Sequence, residues 1–214
     1  MYKRLLLLTG TVIIVAILFW YFGIFQEYFY DIVEFSEKYF KENRLLIFII
    51  FLFIAIASAL LSPLTNVPLI PIAVALCGTV ITIALLLAGW IIGDIIAYYI
   101  GKCIGRPIIR YIISAERFDK LINAVKKHTR FHVLLLLRIV LPTELGYVFG
   151  VIRYQFWKYL ILTSLANITF VFITVYASKA ILDGKRIEFF SLLALLITIF
   201  LGAMHFVRNK NTEY

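Results

Sequence analysis

Long apolar runs separated by short charged stretches constrain this 214-residue chain more than any other feature. A helix that crosses a bilayer needs about 20 consecutive apolar residues, and an ordinary soluble domain has no such runs. Hydrophobic residues make up 63% of the chain and charged residues 15%, which excludes a soluble globular protein. The chain is therefore expected to be an all-α polytopic membrane protein, with apolar runs at 5–25, 45–61, 69–101, 131–152, 156–182 and 187–207.

Two of the apolar stretches are interrupted by helix breakers. The first interruption covers 62–68, which contains Pro63 and Pro68, and the second contains Pro142 followed by Gly146 and Gly150. Proline removes a backbone donor, and irregular backbone at membrane depth is tolerated only where protein or water satisfies it. We therefore predict two re-entrant helical hairpins, at 45–78 and 131–152, and about four full transmembrane helices at 5–25, 79–101, 156–182 and 187–207.

Charge placement supports this assignment of crossings. With four full spans, 14 of the 21 basic residues fall on the side that holds both termini. The positive-inside rule makes that side cytoplasmic and predicts a multi-pass protein of the cell (plasma) membrane. The net charge of +9 is then explained by topology, so no nucleic-acid partner is expected.

The order of the segments repeats with opposite orientation. Residues 26–101 and 107–182 each contain an amphipathic surface helix, a broken run and a full span, which is an inverted repeat of topology. We predict interfacial amphipathic helices at 27–42 and after Ser114, the second with Phe118, Leu121, Ile122 and Val125 on its apolar face. The predicted domains are an N-terminal transmembrane anchor at 1–25, the inverted-repeat transport domain at 26–182, and a C-terminal transmembrane helix with a short cytoplasmic tail at 183–214.

Ionisable residues inside the apolar segments are the main candidates for function. Arg138 lies four residues before Pro142, Glu144 lies at the break itself, and Asp94 lies inside the 79–101 span. Such residues are costly in hydrocarbon and usually functional. For Arg138 the alternatives are a structural pair with Asp94 or Glu144 and a contact with an anionic headgroup. For Glu144 the alternatives are a proton or cation relay and simple exposure to solvent. For Asp94 they are the same relay and a structural hydrogen bond between helices.

Small residues recur at every fourth position from Gly89 to Gly105, in the second half of the 79–101 span and just beyond it. This pattern lets another helix approach closely, and we interpret it as a packing surface; its members are Gly89, Gly93, Ala97, Gly101 and Gly105. Tyr98 either bonds Asp94 or faces the rim of this surface. In the first break, Thr65 and Asn66 either satisfy unwound backbone or contact a headgroup or ion. Thr163 and Asn167 are weaker candidates for lining a cavity.

Signatures of enzymes and metal sites are missing from the sequence. We find no nucleophile elbow, zinc-protease motif, phosphate-binding loop or dinucleotide fingerprint, and the three histidines lack metal-ligand spacing. We therefore expect no enzymatic activity, no cofactor and no metal.

Two motifs resemble the DedA family, also called the SNARE-associated or VTT-domain family, over about residues 45–180. The first is the stretch GDxxxYxxGKxxG from Gly93 to Gly105, and the second is Arg138-x3-Pro142 with Gly150 and then Phe156-Trp-Lys-Tyr159. The resemblance implies two re-entrant hairpins in an inverted repeat and translocation of lipids across the bilayer. By position, the resemblance implies that the following residues match functional positions of the family: Arg138, Asp94, Tyr98, Gly101 and Gly105. Residues 58–76, where the family has an acidic residue, contain none, which makes Glu144 the alternative for that role.

These observations predict a lipid transporter of the flippase or scramblase kind. It would move an anionic lipid such as a polyprenyl phosphate or a phospholipid between leaflets. Its expected partners are anionic lipid headgroups, with a proton or monovalent cation as candidate coupling ion and a homo-oligomer as candidate assembly. Two alternatives remain: an ion channel or small-solute transporter of the same architecture, and a membrane-shaping scaffold. The predicted substrate-binding residues are Arg138, Glu144, Asp94, Tyr98, Asn66 and Thr65.

Overall fold

A computed structural model describes residues 22, 26–27, 30–34, 36, 43–61, 66–105, 115–127, 131–140 and 144–212. Within these ranges all regular structure is helical. The helices are α1 (Arg44–Leu60), α2 (Ile70–Cys77), α3 (Thr79–Ile104), α4 (Ala115–Lys127), α5 (Phe131–Val140), α6 (Glu144–Val151), α7 (Phe156–Leu182) and α8 (Arg186–Thr212), and a 3₁₀ turn at Val67–Leu69 precedes α2.

Within the described part of the chain, three helices are long and apolar enough to cross a membrane: α3, α7 and the Arg186–Phe206 part of α8. They correspond to three of the four predicted spans, at 79–101, 156–182 and 187–207. The fourth, at 5–25, lies outside the described residues. An all-helical membrane protein is thereby confirmed for the part of the chain that is described.

The first broken stretch consists of two short helices before a long one. Helix α1 ends at Leu60, and the next helical segment in the described part of the chain is the 3₁₀ turn that contains Pro68. Pro71 stands in the first turn of α2, where its missing N–H removes no helical hydrogen bond. Gly78, with a φ of +83°, then separates α2 from α3, so the predicted boundary between residues 78 and 79 is confirmed.

The second broken stretch has the same order, with α5 before residues 141–143 and α6 after them. The predicted breakers Pro63 and Pro142 lie outside the described residues. The prediction that Gly146 and Gly150 break the hairpin is wrong, because both lie within α6. Their small size serves packing instead, since the backbones of α6 and α3 meet at these glycines.

Helix α4 confirms the predicted amphipathic helix but corrects its environment. Phe118, Leu121, Ile122 and Val125 are buried as predicted, whereas Asp119 is exposed. The apolar face packs against apolar residues of α5 and α6, so the helix is part of the protein core at this end. The Ser114 cap lies outside the described residues. Of the predicted surface helix at 27–42, the described residues 27, 30–34 and 36 are helical.

Helices α3 and α7 form the centre of the described structure. Helix α3 contacts α1, α6 and α7, whereas α7 also contacts α2, α5 and α8. Helix α8 lies at the periphery, with only 6% of its most apolar window buried against 33% for α3 and 39% for α7. The polar residues of α3 and α7 therefore face one another inside the helix packing, while α8 presents most of its apolar surface outward.

Candidate functional site

Arg138 of α5 and Asp94 of α3 form a buried ion pair. The guanidinium Nη2 donates to the carboxylate Oδ1 at 2.6 Å, and the two side chains are 4% and 1% exposed. The sequence offered Asp94 and Glu144 as partners for Arg138. The described structure shows the pair with Asp94, and the side chain of Glu144 lies outside the described residues. A charged pair this deep is held by mutual neutralisation, so both residues depend on each other's presence.

Helix α7 supplies the neutral donors that complete the pair. The second carboxylate oxygen of Asp94, Oδ2, accepts hydrogen bonds from the Thr163 hydroxyl at 2.7 Å and from Asn167 Nδ2 at 2.8 Å. The Thr163 hydroxyl also accepts from Arg138 Nε at 3.0 Å. We call Asp94, Arg138, Thr163 and Asn167 the polar cluster. It joins three helices through one carboxylate.

Tyr159 extends this arrangement to the backbone. Its hydroxyl donates to the Asp94 carbonyl oxygen at 2.9 Å, and its ring stacks on Tyr98 with 5.1 Å between centroids. Tyr159, Thr163 and Asn167 are spaced by four residues and so lie on one face of α7. This polar stripe inside an apolar helix is the sequence signal that identifies Tyr159, which our sequence predictions did not include.

The third guanidinium nitrogen of Arg138, Nη1, takes no part in the hydrogen bonds described above. This nitrogen is buried and has no hydrogen-bond partner among the described residues, although buried donors are nearly always bonded. The Nδ2 of Asn66, at the first helix break, is buried and unpartnered in the same sense. Guanidinium and amide N–H groups are the donors that bind carboxylate and phosphate oxygens. As far as the described residues go, Arg138 Nη1 and Asn66 Nδ2 are therefore donors that an anion other than Asp94 could use.

The small-residue surface of α3 brings helices to backbone contact beside the cluster. A Cβ added at Gly101 would lie 2.2 Å from the carbonyl oxygen of Tyr147, and one added at Gly150 would lie 2.1 Å from that of Tyr98. At Gly89 and Gly93 the neighbours are Ala55 and Ala59 of α1. The packing interpretation is confirmed for these glycines and for buried Ala97. Gly105 instead ends α3, with a φ of +72°, because only glycine adopts that conformation readily.

Tyr98 is near the cluster but is not bonded to Asp94. Its hydroxyl donates to the Tyr154 carbonyl oxygen at 2.6 Å, which ties α3 to the turn that follows α6. Burial raises the pKa of the Tyr154 phenol above its ordinary value, so that side chain remains neutral. Tyr147, a second residue absent from our predictions, donates to the Leu60 carbonyl oxygen at 2.7 Å and holds the end of α1 against α6.

The remaining predicted site residues are only partly described. Glu144 is the first residue of α6, and its side chain lies outside the described part of the structure, as does Thr65. Asn66 is 2% exposed and its carbonyl oxygen accepts from the Leu69 N–H, so it caps the 3₁₀ turn. Across the described ranges, no group of three or more His, Cys, Asp or Glu residues could hold a metal ion.

Comparison with known proteins identifies the family. Searches of curated proteins and of solved structures find no match. The family model of the VTT domain matches residues 63–180, which is more than half of the chain and contains the whole polar cluster. The chain therefore belongs to the VTT-domain family, the DedA or SNARE-associated membrane proteins.

Proposed function

We propose that this protein is a membrane transporter that moves an anionic lipid, such as a polyprenyl phosphate or a phospholipid, between leaflets. The observation that carries the proposal is the buried guanidinium of Arg138, which is neutralised by Asp94 and keeps Nη1 without a partner among the described residues. A structural ion pair has no need of a free donor edge. An anion-binding site does.

In the proposed mechanism the phosphate of the lipid competes with Asp94 for Arg138. A proton or monovalent cation at Asp94 would weaken its hold on the guanidinium and free that group for the phosphate. Thr163 and Asn167 would keep Asp94 in place during the exchange, since both bond its Oδ2. Asn66 would add a neutral donor from the first break, and Glu144 and Thr65 remain candidates for the same path. Tyr98 would position Tyr159 by stacking.

The packing of the short helices supports the inverted repeat and its re-entrant hairpins. The last short helix of the first half, α2, packs on α7, the long helix of the second half. Its counterpart α6 packs on α3, the long helix of the first half. This reciprocal exchange is what two interlocked hairpins of opposite orientation would produce. We propose on this basis that 26–182 forms one transport domain in the cell membrane, with both termini cytoplasmic.

Membership of the VTT-domain family also supports the proposal. Members of this family are generally regarded as membrane transporters or flippases. The polar cluster lies entirely within the matched residues 63–180. The lipid headgroup, the direction and the coupling ion are proposals that rest on the chemistry of the cluster.

A translocation assay tests the role of Arg138. The full chain is reconstituted in liposomes with fluorescent phosphatidylglycerol, and the fraction of label that dithionite reaches is followed over time. We expect wild-type protein to accelerate translocation and R138A to abolish the acceleration, while R138K retains part of it because the charge remains. Lys179, an exposed cation in α7, provides the matched control, and K179Q should behave as wild type. Wild-type rates in R138A would overturn the assignment.

The channel alternative requires an aqueous path lined by neutral polar groups. Ser58 of α1, which would be a candidate to line such a path together with Thr65, Asn66 and Glu144, bonds within its own helix, since its hydroxyl donates to the Ala55 carbonyl oxygen at 2.8 Å. Ion currents in planar bilayers without movement of labelled lipid would favour the channel. A membrane-shaping scaffold predicts instead that Arg138 and Glu144 can both be replaced by Gln without phenotype.

A further inference from the structure

The turn between α6 and α7 contains a backbone conformation that its residue does not favour. Arg153 has a φ of +54°, the only positive value at a non-glycine among the described residues. Left-handed backbone places the Cβ of an L-residue too close to the following carbonyl oxygen, which glycine avoids. Strained backbone of this kind is found mostly at functional sites, so an arginine at this position calls for a reason in its side chain.

The end of α7 has the same hydrogen-bond pattern as the end of α6, so the residues at the left-handed position of the two turns can be compared. At the end of α6, the N–H of Tyr154 bonds the Phe149 carbonyl and that of Arg153 bonds the Gly150 carbonyl. At the end of α7, Lys185 bonds Ala180 and Gly184 bonds Ile181 in the same pattern. Both are Schellman motifs, in which the left-handed position is usually glycine. The second motif has Gly184 there, with a φ of +68°, whereas the first has arginine.

Two further exposed cations lie close to Arg153. The backbone nitrogen of Lys102 is 2.8 Å from the Cβ position of Gly150, three residues before Arg153, and Lys158 follows in the first turn of α7. Arg153, Lys102 and Lys158 are all exposed. Within the described ranges, no ion pair joins any of the three to a carboxylate.

A chain of aromatic rings runs from Lys102 to Trp157, the residue before Lys158. Lys102 Nζ lies 5.7 Å from the centre of the Tyr99 ring, which is 5.6 Å from that of Phe156, and Phe156 is 5.5 Å from Trp157. Trp157 is 67% exposed and Tyr99 45% exposed. Aromatic rings beside basic groups, where helices leave the apolar region, are typical of the headgroup level of a bilayer. This end of α3 and α7 therefore has the composition expected at the depth of lipid phosphates.

We infer that Arg153, Lys102 and Lys158 form a surface binding site for the headgroup of an anionic phospholipid. Charge complementarity identifies the occupant, since three cations without described carboxylate partners face a layer in which the anions are lipid phosphates. An arginine at this exposed turn offers a forked donor to that layer, which glycine could not. This site is separate from the polar cluster, and its occupancy does not depend on lipid transport.

Trp157 provides the reporter for a direct test. Replacing Trp20 and Trp90 by Phe in the full chain leaves Trp157 as the only tryptophan. The protein is reconstituted in vesicles of phosphatidylcholine that contain increasing amounts of brominated phosphatidylglycerol. The bromines quench neighbouring tryptophan fluorescence. Brominated phosphatidylcholine in the same series gives the quenching expected without headgroup preference.

We expect stronger quenching by the anionic lipid in the wild type and a relative binding constant about fivefold lower in R153G, as one interfacial cation is lost. R153K should keep most of the preference. K185Q, which removes an exposed cation at the opposite end of α7, should keep all of it, and about 0.5 M NaCl should reduce the preference by screening. Soluble glycerol phosphate should compete only weakly, because the lipid phosphates are held beside the site at a much higher effective concentration.

Stability gives an independent readout. Glycine suits the left-handed turn, so R153G should raise the melting temperature in detergent by about 2–4 °C even as it loses lipid preference. R153N, which also tolerates this backbone, should lose the preference in the same way. Lower stability in R153G, or a lipid preference equal to that of the wild type in R153G and R153N, would overturn the proposal.

Discussion

Helices α2 and α6 are each eight residues long and occupy corresponding positions after the two helix breaks, yet they are held in place by different interactions. Helix α2 packs through apolar side chains, with Ile70, Ala73 and Val74 against residues of α1, α3 and α7. Helix α6 also buries apolar side chains, but in addition its glycines bring its backbone against α3 next to Asp94. The short helix after the first break is therefore held through apolar side chains, and the one after the second break also through close backbone contact.

The physics of the bilayer explains why this difference matters. Lipid tails are as apolar as Leu or Ile, so apolar side chains gain little by leaving lipid for protein. Close backbone contact and polar bonds therefore carry most of the specificity between membrane helices. Substitutions where α6 meets α3 should therefore lower the free energy of unfolding more than substitutions in the apolar contacts of α2.

The largest effect is expected from breaking the ion pair. D94N leaves the charge of Arg138 buried without an anion, which should lower the free energy of unfolding by about 3–5 kcal/mol. The double variant D94N/R138Q removes both charges and should recover part of this loss. Unfolding in mixed micelles with increasing SDS measures both. D183N, at a weak and exposed pair, is the control. Equal stability of D94N and wild type would contradict the account.

Backbone contacts between α6 and α3 come next. G101A and G150A each place a methyl group within 2.2 Å of a carbonyl oxygen that cannot move freely, and should cost about 1–3 kcal/mol. Gly202 in α8 has nothing within 4 Å of its Cβ position, so G202A should be neutral or slightly stabilising. The same SDS titration compares the three variants. If G150A and G202A unfold alike, the two helices do not meet as described.

The α2 side should lose less. I70V removes one methyl group from a fully buried residue and should cost about 0.5–1.5 kcal/mol, because the small void is only partly refilled. Ile187 is 81% exposed, which makes I187V a matched control without effect. A loss for I70V as large as that for G150A would remove the difference between the two short helices.

The smallest effect is expected at the hydroxyl of Tyr159. Y159F deletes one hydrogen bond to the backbone of Asp94, and bonds between membrane helices average about 0.6 kcal/mol. Tyr176, an exposed residue of the same helix, serves as control through Y176F. Thermal unfolding followed by circular dichroism should separate the two variants by a small shift, and identical melting curves would mean that this bond contributes nothing.

Much of the fold could be predicted because the chain obeys simple rules of hydropathy. The three described spans and the boundary at Gly78 follow from apolar length and from glycine and proline positions. The buried face of α4 follows from helical periodicity. The error at Gly146 and Gly150 arose because glycine has two uses in membrane helices, as a breaker and as a contact surface. Only the neighbouring helix distinguishes them.

The candidate site could be predicted only in part. Arg138 and Asp94 were identifiable as isolated charges in apolar runs, and their pairing was one of the alternatives considered. Their partners on α7 could not be ranked, since hydroxyl and amide side chains are common in membrane helices and a sequence does not fix which face meets which helix. Tyr159 was missed for this reason, although its spacing from Thr163 and Asn167 is a visible signal.

The most direct test of the central claim separates folding from transport at the polar cluster. The double variant D94N/R138Q is reconstituted in liposomes once its thermal unfolding shows that it is folded, and translocation of labelled phosphatidylglycerol is measured beside the wild type. The account predicts that the rate falls to that of protein-free liposomes, because the positively charged donor for the lipid phosphate is gone and a neutral amide does not replace its charge. A folded double variant that translocates the lipid at the wild-type rate would contradict it.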